Sequence, residues 1–582
     1  MSLPTHKWNK NNPLFPNLPL HFPKIPSNSS QIPVVLSLYI TSGLLLHSLS
    51  NLFSYNSIIR SLAAGPTPHL SISLYNHMRR NSVSPDNYTF PFVLKSCARL
   101  LFYQKGRELH AVSLKLGFEY DVFVQNSLIY MYSICGEIET ACRVFDFMPI
   151  WVRDVVSWNS LISGYVQRGH CGNALDVFVK MLGVVEGFVR PNEVTAVSVL
   201  AACSRVGGIE LGRRIHAFVV GSGFLLDVFL GSSLIDMYVK CGHVDDARLV
   251  FDGMPERNVV CWTSMISGYA QSGRFREAIE LFRVMLVVGV EVDGATVACV
   301  ASACAHLGAL DHGRWVHAYC DRNGVEMNVT VKNALIDMYS KCGDIGEARR
   351  IFDRLFRRDV FSWTVMISGL AMNGMSDEAL DLFSQMRLLG DVRPNEVTFL
   401  GVLSACSHGG LVDEGYHHFN CMKKIYNLTP QIEHYGCVVD LLGRANLLVE
   451  AENFIKNMPI EPDAVIWRSL LFACRSNRNI ELAEFAVKHI LELEPGRCGV
   501  HVLLSNIYAA SLRWNDVKRV RKGMNNHGIR KQPGCTFIEI NGIVHEFFVA
   551  DRSHPQTEII YDMIWEMNKL LRSEGYVPDT SY

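Results

Sequence analysis

Apolar residues in this chain recur at the spacing of short amphipathic helices, two to each stretch of about 35 residues. In one such stretch the two apolar stripes consist of Met265, Ile266 and Tyr269 and of Ala278, Leu281, Phe282 and Met285. Ser272 and Gly273 break the chain between the stripes, and Gly289 ends the second helix. Because a single hairpin cannot bury both stripes, the pattern predicts stacked helical hairpins with a continuous core.

The same pattern returns over a longer period. Three stretches are near copies of one another: DVVSWNSLISGYVQRGHCGNALDVF (154–178), NVVCWTSMISGYAQSGRFREAIELF (258–282) and DVFSWTVMISGLAMNGMSDEALDLF (359–383). Their tryptophans, Trp158, Trp262 and Trp363, are 104 and 101 residues apart. A long fixed period is typical of a repeat array rather than of one globular core. One period contains three repeats of 35, 35 and 31 residues, namely Val259–Asp293, Gly294–Asn328 and Val329–Asp359.

The sequences of the three kinds of repeat resemble those of a known family. The first kind reads WNSLISGY or a variant, the second SVLAACSRVGGIELGRRIHAFVVGSGF (198–224), and the third SLIDMYVKCGHVDDARLVFDGMPERN (233–258). In length, order and wording they resemble the P, L and S repeats of plant pentatricopeptide-repeat proteins. A tetratricopeptide array would also consist of helical hairpins, but in uniform 34-residue units with a different signature. The resemblance implies an all-α fold, a superhelical solenoid of helix-turn-helix repeats.

The resemblance also divides the chain into segments. The repeat array spans 52–463, residues 464–531 resemble the two degenerate helical motifs of the family's E region, and residues 532–582 resemble the E+ extension. Residues 1–51 are interpreted as a transit peptide and a degenerate N-terminal segment, because no Asp or Glu precedes Asp86 while Ser, Pro and Lys occur there. In the extension, TFIEINGIVHEFFV alternates apolar and polar residues around Asn541 and Gly542, which predicts a small β-hairpin.

Composition changes the expected mode of binding. The net charge is -1 and the pI is about 7.0, which argues against a bulk electrostatic grip on phosphates. Any binding to single-stranded nucleic acid is therefore expected to depend on stacking and on hydrogen bonds to base edges. The apolar stretch Ile32–Leu46 is too short and interrupted for a membrane span, so no membrane insertion is expected. There are 17 cysteines, an odd number, and many recur at equivalent repeat positions, such as Cys203 and Cys304, which favours buried packing residues over a disulfide framework.

In the family that the chain resembles, the fifth and last residues of a P or S repeat together select one base, and the second residue wedges between neighbouring bases. Asn with Asp resembles a uracil reader, Thr with Asp a guanine reader, Thr or Ser with Asn an adenine reader, and Asn with Asn a cytosine reader. The resemblance thus implies seven reading pairs: Asn56/Asp86 (U), Asn126/Asp154 (U), Asn159/Asn192 (C), Ser232/Asn258 (A), Thr263/Asp293 (G), Asn333/Asp359 (U) and Thr364/Asn395 (A).

The other repeats are left unassigned. The L repeats carry Pro91, Val197, Ala298 and Leu400 at the fifth position, and the terminal S-like repeat carries Gly436 with Asp463. The implied target is 5′-U-n-U-C-n-A-G-n-U-A-n-n-3′, with protein and RNA running parallel. The alternative is that the paired side chains only cap helices.

The sequence was also examined for enzyme chemistry. Editing proteins of this family often end in a cytidine-deaminase-like (DYW) domain, whose zinc chemistry needs H-x-E and C-x-x-C. None of the 21 histidines is followed two positions later by Glu, and no two cysteines have the C-x-x-C spacing. We therefore expect no catalytic residues, no metal site and no cofactor, and an E/E+ subgroup member without that domain. His110, His216 and His317 recur in the L repeats and are interpreted as packing residues.

These observations lead to one functional expectation and two alternatives. The resemblance implies a site-recognition factor for C-to-U editing of single-stranded transcripts in a mitochondrion or chloroplast, which recruits a deaminase-bearing protein and other editing factors. One alternative is an organellar RNA stability, splicing or processing factor, and the other is a protein-interaction solenoid. The segment 533–567 favours editing over simple RNA protection, and the polar pairs favour RNA over a protein scaffold.

Overall fold

A computed structural model describes residues 52–183, 189–495, 498–526, 528, 535–540, 543–548 and 552–576. The predicted transit peptide and N-terminal segment, 1–51, lie outside these ranges, as does the predicted Asn541-Gly542 turn. The chain divides into two compact modules, an N-terminal module that ends at His243 and a C-terminal module that begins at Val244. Each module is described by itself.

In the N-terminal module the first and second helices of successive repeats alternate along the chain. They are α1 (Leu52–Ala64), α2 (Pro68–Arg80), α3 (Thr89–Leu100), α4 (Tyr103–Lys115), α5 (Val122–Cys135), α6 (Ile138–Phe147), α7 (Val155–Gln167), α8 (Cys171–Leu182), α9 (Glu193–Val206), α10 (Ile209–Gly221) and α11 (Val228–Lys240).

The C-terminal module continues the alternation and adds a hairpin and a last helix. Its array helices are α12 (Val244–Gly253), α13 (Val259–Gln271), α14 (Phe275–Val288), α15 (Gly294–Leu307), α16 (Leu310–Asn323), α17 (Val329–Lys341), α18 (Ile345–Asp353), α19 (Val360–Met372), α20 (Ser376–Leu389), α21 (Glu396–Gly409), α22 (Val412–Lys424), α23 (Ile432–Arg444) and α24 (Leu448–Lys456). Beyond these lie α25 (Ala464–Asn477), α26 (Ile480–Leu493), α27 (Cys498–Ala510), α28 (Trp514–Asn526), β1 (Cys535–Ile540), β2 (Ile543–Phe548) and α29 (Thr557–Ser573).

The helices form and stack as the apolar stripes predict. Every residue of the two stripes named above is buried, including Met265 and Phe282. Inside a module, first helices pack against their own second helices and against neighbouring first helices, as α15 does with α16, α13 and α17. The all-α solenoid of helix-turn-helix repeats is confirmed, and burial of apolar side chains between adjacent hairpins holds it together.

The marker tryptophans lie at the junction between an S repeat and the P repeat that follows it. Trp262 meets the ring of Phe251 edge to face with centroids 4.9 Å apart, and the guanidinium of Arg257 lies 4.9 Å from the same phenyl ring. Trp158 and Trp363 have equivalent partners. Aromatic pairs and cation–π contacts of this kind stabilise the packing beyond the effect of buried area alone. Packing therefore explains why the three near copies share this tryptophan.

The L repeats approach the S repeats unusually closely. A Cβ on Gly313 would lie 2.3 Å from the sulfur of Met338, and Gly106 and Gly212 have the same relation to Met131 and Met237. Glycine at this point of the second helix therefore allows the methionine of the next first helix to fill the space against its backbone.

The β-hairpin contacts the array far from its own place in the chain. Strands β1 and β2 are antiparallel, and their register puts Glu539 and Glu546 on one face. The Glu539 carboxylate accepts hydrogen bonds from the backbone N–H groups of Asp311 and His312, at 2.8 and 3.0 Å, and also contacts the His312 imidazole. Glu546 lies 3.8 Å from Arg276. The carboxylate thus satisfies two amides at the start of α16, where the helix dipole favours negative charge.

Candidate nucleic-acid interface

The last residue of each predicted reading pair is the N-cap of the next repeat's first helix or lies beside that cap. In all seven pairs its Oδ1 accepts the backbone N–H of the residue three positions later, at 2.7 to 3.1 Å. These side chains therefore do cap helices, as the alternative interpretation states. However, Asp121, Asp227 and Asn328, which end L repeats, cap helices in the same way. Capping alone does not distinguish the reading pairs from the other junctions.

A direct hydrogen bond to the fifth residue distinguishes four of the seven pairs. The side-chain amides of four asparagines donate from Nδ2 to Oδ1 of the last residue, namely Asn56 to Asp86 (2.9 Å), Asn126 to Asp154 (3.1 Å), Asn159 to Asn192 (3.0 Å) and Asn333 to Asp359 (3.3 Å). These partners are 26 to 33 residues apart in sequence. The fold thus brings together side chains that the repeat parse paired.

The two threonine readers reach the last residue through an intermediary. Thr263 hydrogen-bonds to Thr296 at 2.6 Å, and the Thr296 hydroxyl donates to Asp293 at 2.7 Å. In the same way, Thr364 is linked to Asn395 through the Thr398 hydroxyl, at 2.7 and 2.9 Å.

The remaining pair spans the two modules, and its members are placed separately. Ser232 is half-buried on α11 and its hydroxyl donates to the backbone oxygen of Phe229 at 3.0 Å. Asn258 is exposed and caps α13.

An exposed apolar side chain accompanies most of the reading pairs. Phe53, Phe123, Phe229 and Phe361, each the second residue of a P or S repeat, are 58–77% exposed. Val156 and Val260 occupy the same position and are about half exposed. Large apolar side chains left in water beside polar groups are suited to stacking against bases.

The hydrogen bonds show which side-chain atom of the last residue stays available to a ligand. For Asp86, Asp154 and Asp359, the hydrogen bonds from described residues all go to Oδ1, and Oδ2 is left for a ligand. In Asn192 and Asn395 the corresponding outer atom is Nδ2, a donor. Uracil and guanine present an N–H at the centre of the Watson–Crick edge, whereas cytosine and adenine present a lone pair. A last-residue Asp therefore suits U or G, and a last-residue Asn suits C or A.

The charge of one reading carboxylate is set by its neighbours. Burial by itself would raise the pKa of Asp359, but hydrogen bonds from the Ser362 amide and hydroxyl and from Asn333 outweigh it and lower the pKa. Asp359 is therefore ionised at neutral pH and acts as an acceptor only.

Sequence reasoning missed one set of residues at this site. The third residue of each L repeat is a threonine, and in all four cases its hydroxyl lies against the reader of the preceding P repeat. The signal was present in the sequence as Thr89, Thr195, Thr296 and Thr398 at one repeat position.

The repeat-locked histidines and cysteines take part in packing. His110, His216 and His317 each contact a tyrosine hydroxyl of the next repeat at 2.9 to 3.0 Å. All 17 cysteines are free thiols, and burial raises the pKa of Cys97 to about 12, which makes that thiol unreactive. Across the parts of the chain that the structure describes, no three His, Cys, Asp or Glu side chains are placed to hold a metal ion. Nor does any helix there combine the length and apolarity that crossing a bilayer requires.

Comparisons with known proteins identify the kind of repeat. The E motif model matches residues 477–539, the PPR repeat family model matches 257–306 and 358–408, and the PPR repeat model matches five stretches between 126 and 426. A chloroplastic pentatricopeptide repeat-containing protein of Arabidopsis thaliana is 42% identical over 91% of this chain and 75% of its own length. A mitochondrial one from the same plant is also 42% identical, over 91% of this chain and 81% of its own length.

Solved structures show the same fold. The pentatricopeptide repeat protein PPR10 from maize superposes with a TM-score of 0.51 at 17% identity, covering 87% of this chain and 77% of that one. Its complex with an 18-nt psaJ RNA element superposes with a TM-score of 0.53 at 18% identity, over 87% and 78%.

Proposed function

We infer that this chain, which belongs to the pentatricopeptide-repeat family, binds single-stranded RNA by sequence and acts as a site-recognition factor for C-to-U editing of organellar transcripts. The observation that carries the proposal is the row of reading pairs, in which the last residue caps a helix and, in four pairs, also accepts the side-chain amide of the fifth residue. The exposed apolar second residues supply the stacking surface such a row needs. The maize neighbour was solved with an RNA element, which supports the same ligand class here.

The editing role rests on the C-terminal part of the chain. The E motif match and the β-hairpin extension favour a protein that works with a partner beyond the RNA. The proposal has the deaminase supplied by another protein, since neither H-x-E nor C-x-x-C occurs in these 582 residues. The chloroplastic and mitochondrial relatives support an organelle of one of these two kinds.

Sequence-specific binding can be tested with the full chain and short RNAs. Binding to 5′-U-n-U-C-n-A-G-n-U-A-n-n-3′ is compared with binding to RNAs whose assigned bases are permuted. Each well-made reader is worth roughly 1–3 kcal/mol of discrimination, so a single wrong base is expected to weaken binding by about 5- to 150-fold. Thr263→Asn is expected to prefer U over G at its nucleotide, which would show that each repeat reads separately.

Other results would count against the proposal in different ways. Equal affinity for all the RNAs would refute the assigned bases. If no RNA is bound at all, the solenoid's ligand is a protein and the proposed function is wrong. The protein could bind RNA selectively while the matching transcript is still edited in a plant that lacks the protein. That result would favour a stability or splicing role.

A further inference from the structure

Two kinds of reading site occur in the array, and they differ in how the fifth residue is held. Where an L repeat follows a P repeat, the next repeat's third residue is threonine. Where a P repeat follows the S repeats of Asn126 and Asn333, it is serine, Ser157 or Ser362. The residue at this position changes the hydrogen bonds of the reader.

In a P repeat, the side-chain amide of the asparagine reader is hydrogen-bonded through both its nitrogen and its oxygen. Nδ2 of Asn159 donates to Asn192 at 3.0 Å, and its Oδ1 accepts from the Thr195 hydroxyl at 2.7 Å. Thr89 does the same for Asn56, also at 2.7 Å. The threonine hydroxyl has a second acceptor within reach, but that oxygen already accepts from a backbone N–H and from the reader. Among the described residues, this hydroxyl is the one donor that reaches Oδ1 of the asparagine.

In these two S repeats, the described residues hold the asparagine reader only through its amide nitrogen. The serine hydroxyls donate to the last residue, Ser157 to Asp154 at 2.9 Å and Ser362 to Asp359 at 2.8 Å. Oδ1 of Asn126 and Oδ1 of Asn333 are buried and have no hydrogen-bond partner among the described residues. The whole side chain is buried in both cases, with Asn333 only 1% exposed. An unpaired buried oxygen disfavours the side-chain position that leaves it so.

We propose that the third residue of the following repeat is a positioning residue of each reading site, and that threonine there holds the amide of an asparagine reader at both its nitrogen and its oxygen, whereas serine leaves it held at the nitrogen alone. An amide held at both atoms keeps one position relative to the base. An amide held at one atom shifts more easily and discriminates less between the two pyrimidines. P-repeat asparagines are then sharper readers than S-repeat asparagines. This inference rests on the proposed RNA binding and deepens it.

The test uses reciprocal exchanges in the full chain, measured as the ratio of affinities for RNAs that differ only by U or C at one nucleotide. Thr195→Ser is expected to lower the ratio at the nucleotide assigned to Asn159 by about two- to tenfold, the worth of one ordinary hydrogen bond. Ser362→Thr is expected to raise the ratio at the nucleotide assigned to Asn333 by a similar factor. Neither variant should change the U/C ratio at the other nucleotide.

Each outcome separates the inference from the function beneath it. A purely structural role for these residues would weaken binding to all RNAs equally and leave the ratios unchanged, which would overturn the inference. The same holds if wild type is selective and Asn159→Ala abolishes selectivity at its nucleotide, yet both exchanges keep wild-type ratios. Failure of wild type to bind any of the RNAs would instead overturn the proposed function, and the inference with it.

Discussion

Asp359 combines two roles, and replacing it by alanine should show both. Its Oδ1 accepts the Ser362 N–H at 2.7 Å as the N-cap of α19, and it accepts the Asn333 amide at 3.3 Å. Loss of an N-cap costs about 0.5–2 kcal/mol. The Asn333 side chain is buried and its Oδ1 already lacks a partner, so removing the acceptor of its Nδ2 leaves the whole amide unsatisfied. That adds about 1–3 kcal/mol, and Asp359→Ala is expected to cost about 1.5–5 kcal/mol in total.

The assay is urea unfolding of the full chain, together with hydrogen exchange in the first turn of α19. A solenoid unfolds in parts, so local exchange reports the repeat concerned better than a global transition does. Asp391, an exposed loop residue, provides the matched control, and Asp391→Ala should change the stability by less than about 0.5 kcal/mol.

A double-mutant cycle separates the two contributions. In an Asn333→Ala background, Asp359→Ala should cost only the cap, because no buried amide remains to be left unpaired. Equal costs in the two backgrounds, or a single-variant cost below about 0.5 kcal/mol, would refute the reasoning.

The same carboxylate gives the expected pH dependence. Although burial opposes it, hydrogen bonding lowers the pKa of Asp359 in the folded protein, so the unfolded chain binds the proton more readily. The stabilisation is therefore complete above the unfolded pKa and is lost as the pH falls through the lower folded value. Asp359→Asn should remove this acid-dependent part, so its stability near neutral pH should lie below that of the wild type by the amount that the wild type loses on acidification.

Three further changes test the packing, the stacking surface and the hairpin contact. Gly313→Ala places a Cβ against the Met338 sulfur and should cost about 1–3 kcal/mol in thermal unfolding, whereas Gly172→Ala, at an open helical position, should stabilise by about 0.5–1 kcal/mol. Phe361→Ala should leave stability within about 0.5 kcal/mol but weaken RNA binding by about 5- to 150-fold, and a loss of stability instead would argue for packing. Glu539→Ala should speed hydrogen exchange of the first-turn amides of α16 by about 10- to 150-fold, and unchanged exchange would show that the hairpin does not rest there.

The repeated part of the fold was predictable because its information is local and redundant. Each helix is specified by its own apolar stripe, and a stripe such as that of Met265 and Ile266 can be packed only by a neighbouring hairpin. The hairpin extension was predictable for a similar reason, since a two-residue period is visible within a dozen residues. The repeat parse also paired four asparagines with the residues to which their side-chain amides donate, and base reading by these pairs stays a prediction.

Two features escaped prediction because they depend on three-dimensional neighbours. The bridging role of Thr195 becomes visible only when its hydroxyl is seen 2.7 Å from Asn159, 36 residues away. The contact between Glu539 and the start of α16 joins residues 227 and 228 positions apart, which no repeat period relates. In hindsight one trace exists: the position of His312 is occupied by Lys105, Leu211 and Glu414 in the other L repeats, so the third L repeat alone offers an imidazole there.

In the proposed function the last residue of a repeat both caps a helix and contacts the base, so its identity should change the base read without disturbing the fold. Asp and Asn are equally good N-caps, since each offers Oδ1 to the helix. They differ in the outer atom, an acceptor in Asp and a donor in Asn. Asp293→Asn should therefore leave unfolding within about 0.5 kcal/mol of wild type, because the bonds from Thr296 to Oδ1 persist. Its preferred base should change from G to A, measured with RNAs that differ at that nucleotide. If stability is kept but G is still preferred, the outer atom of the last residue does not read the base, and discrimination must come from Thr263 alone.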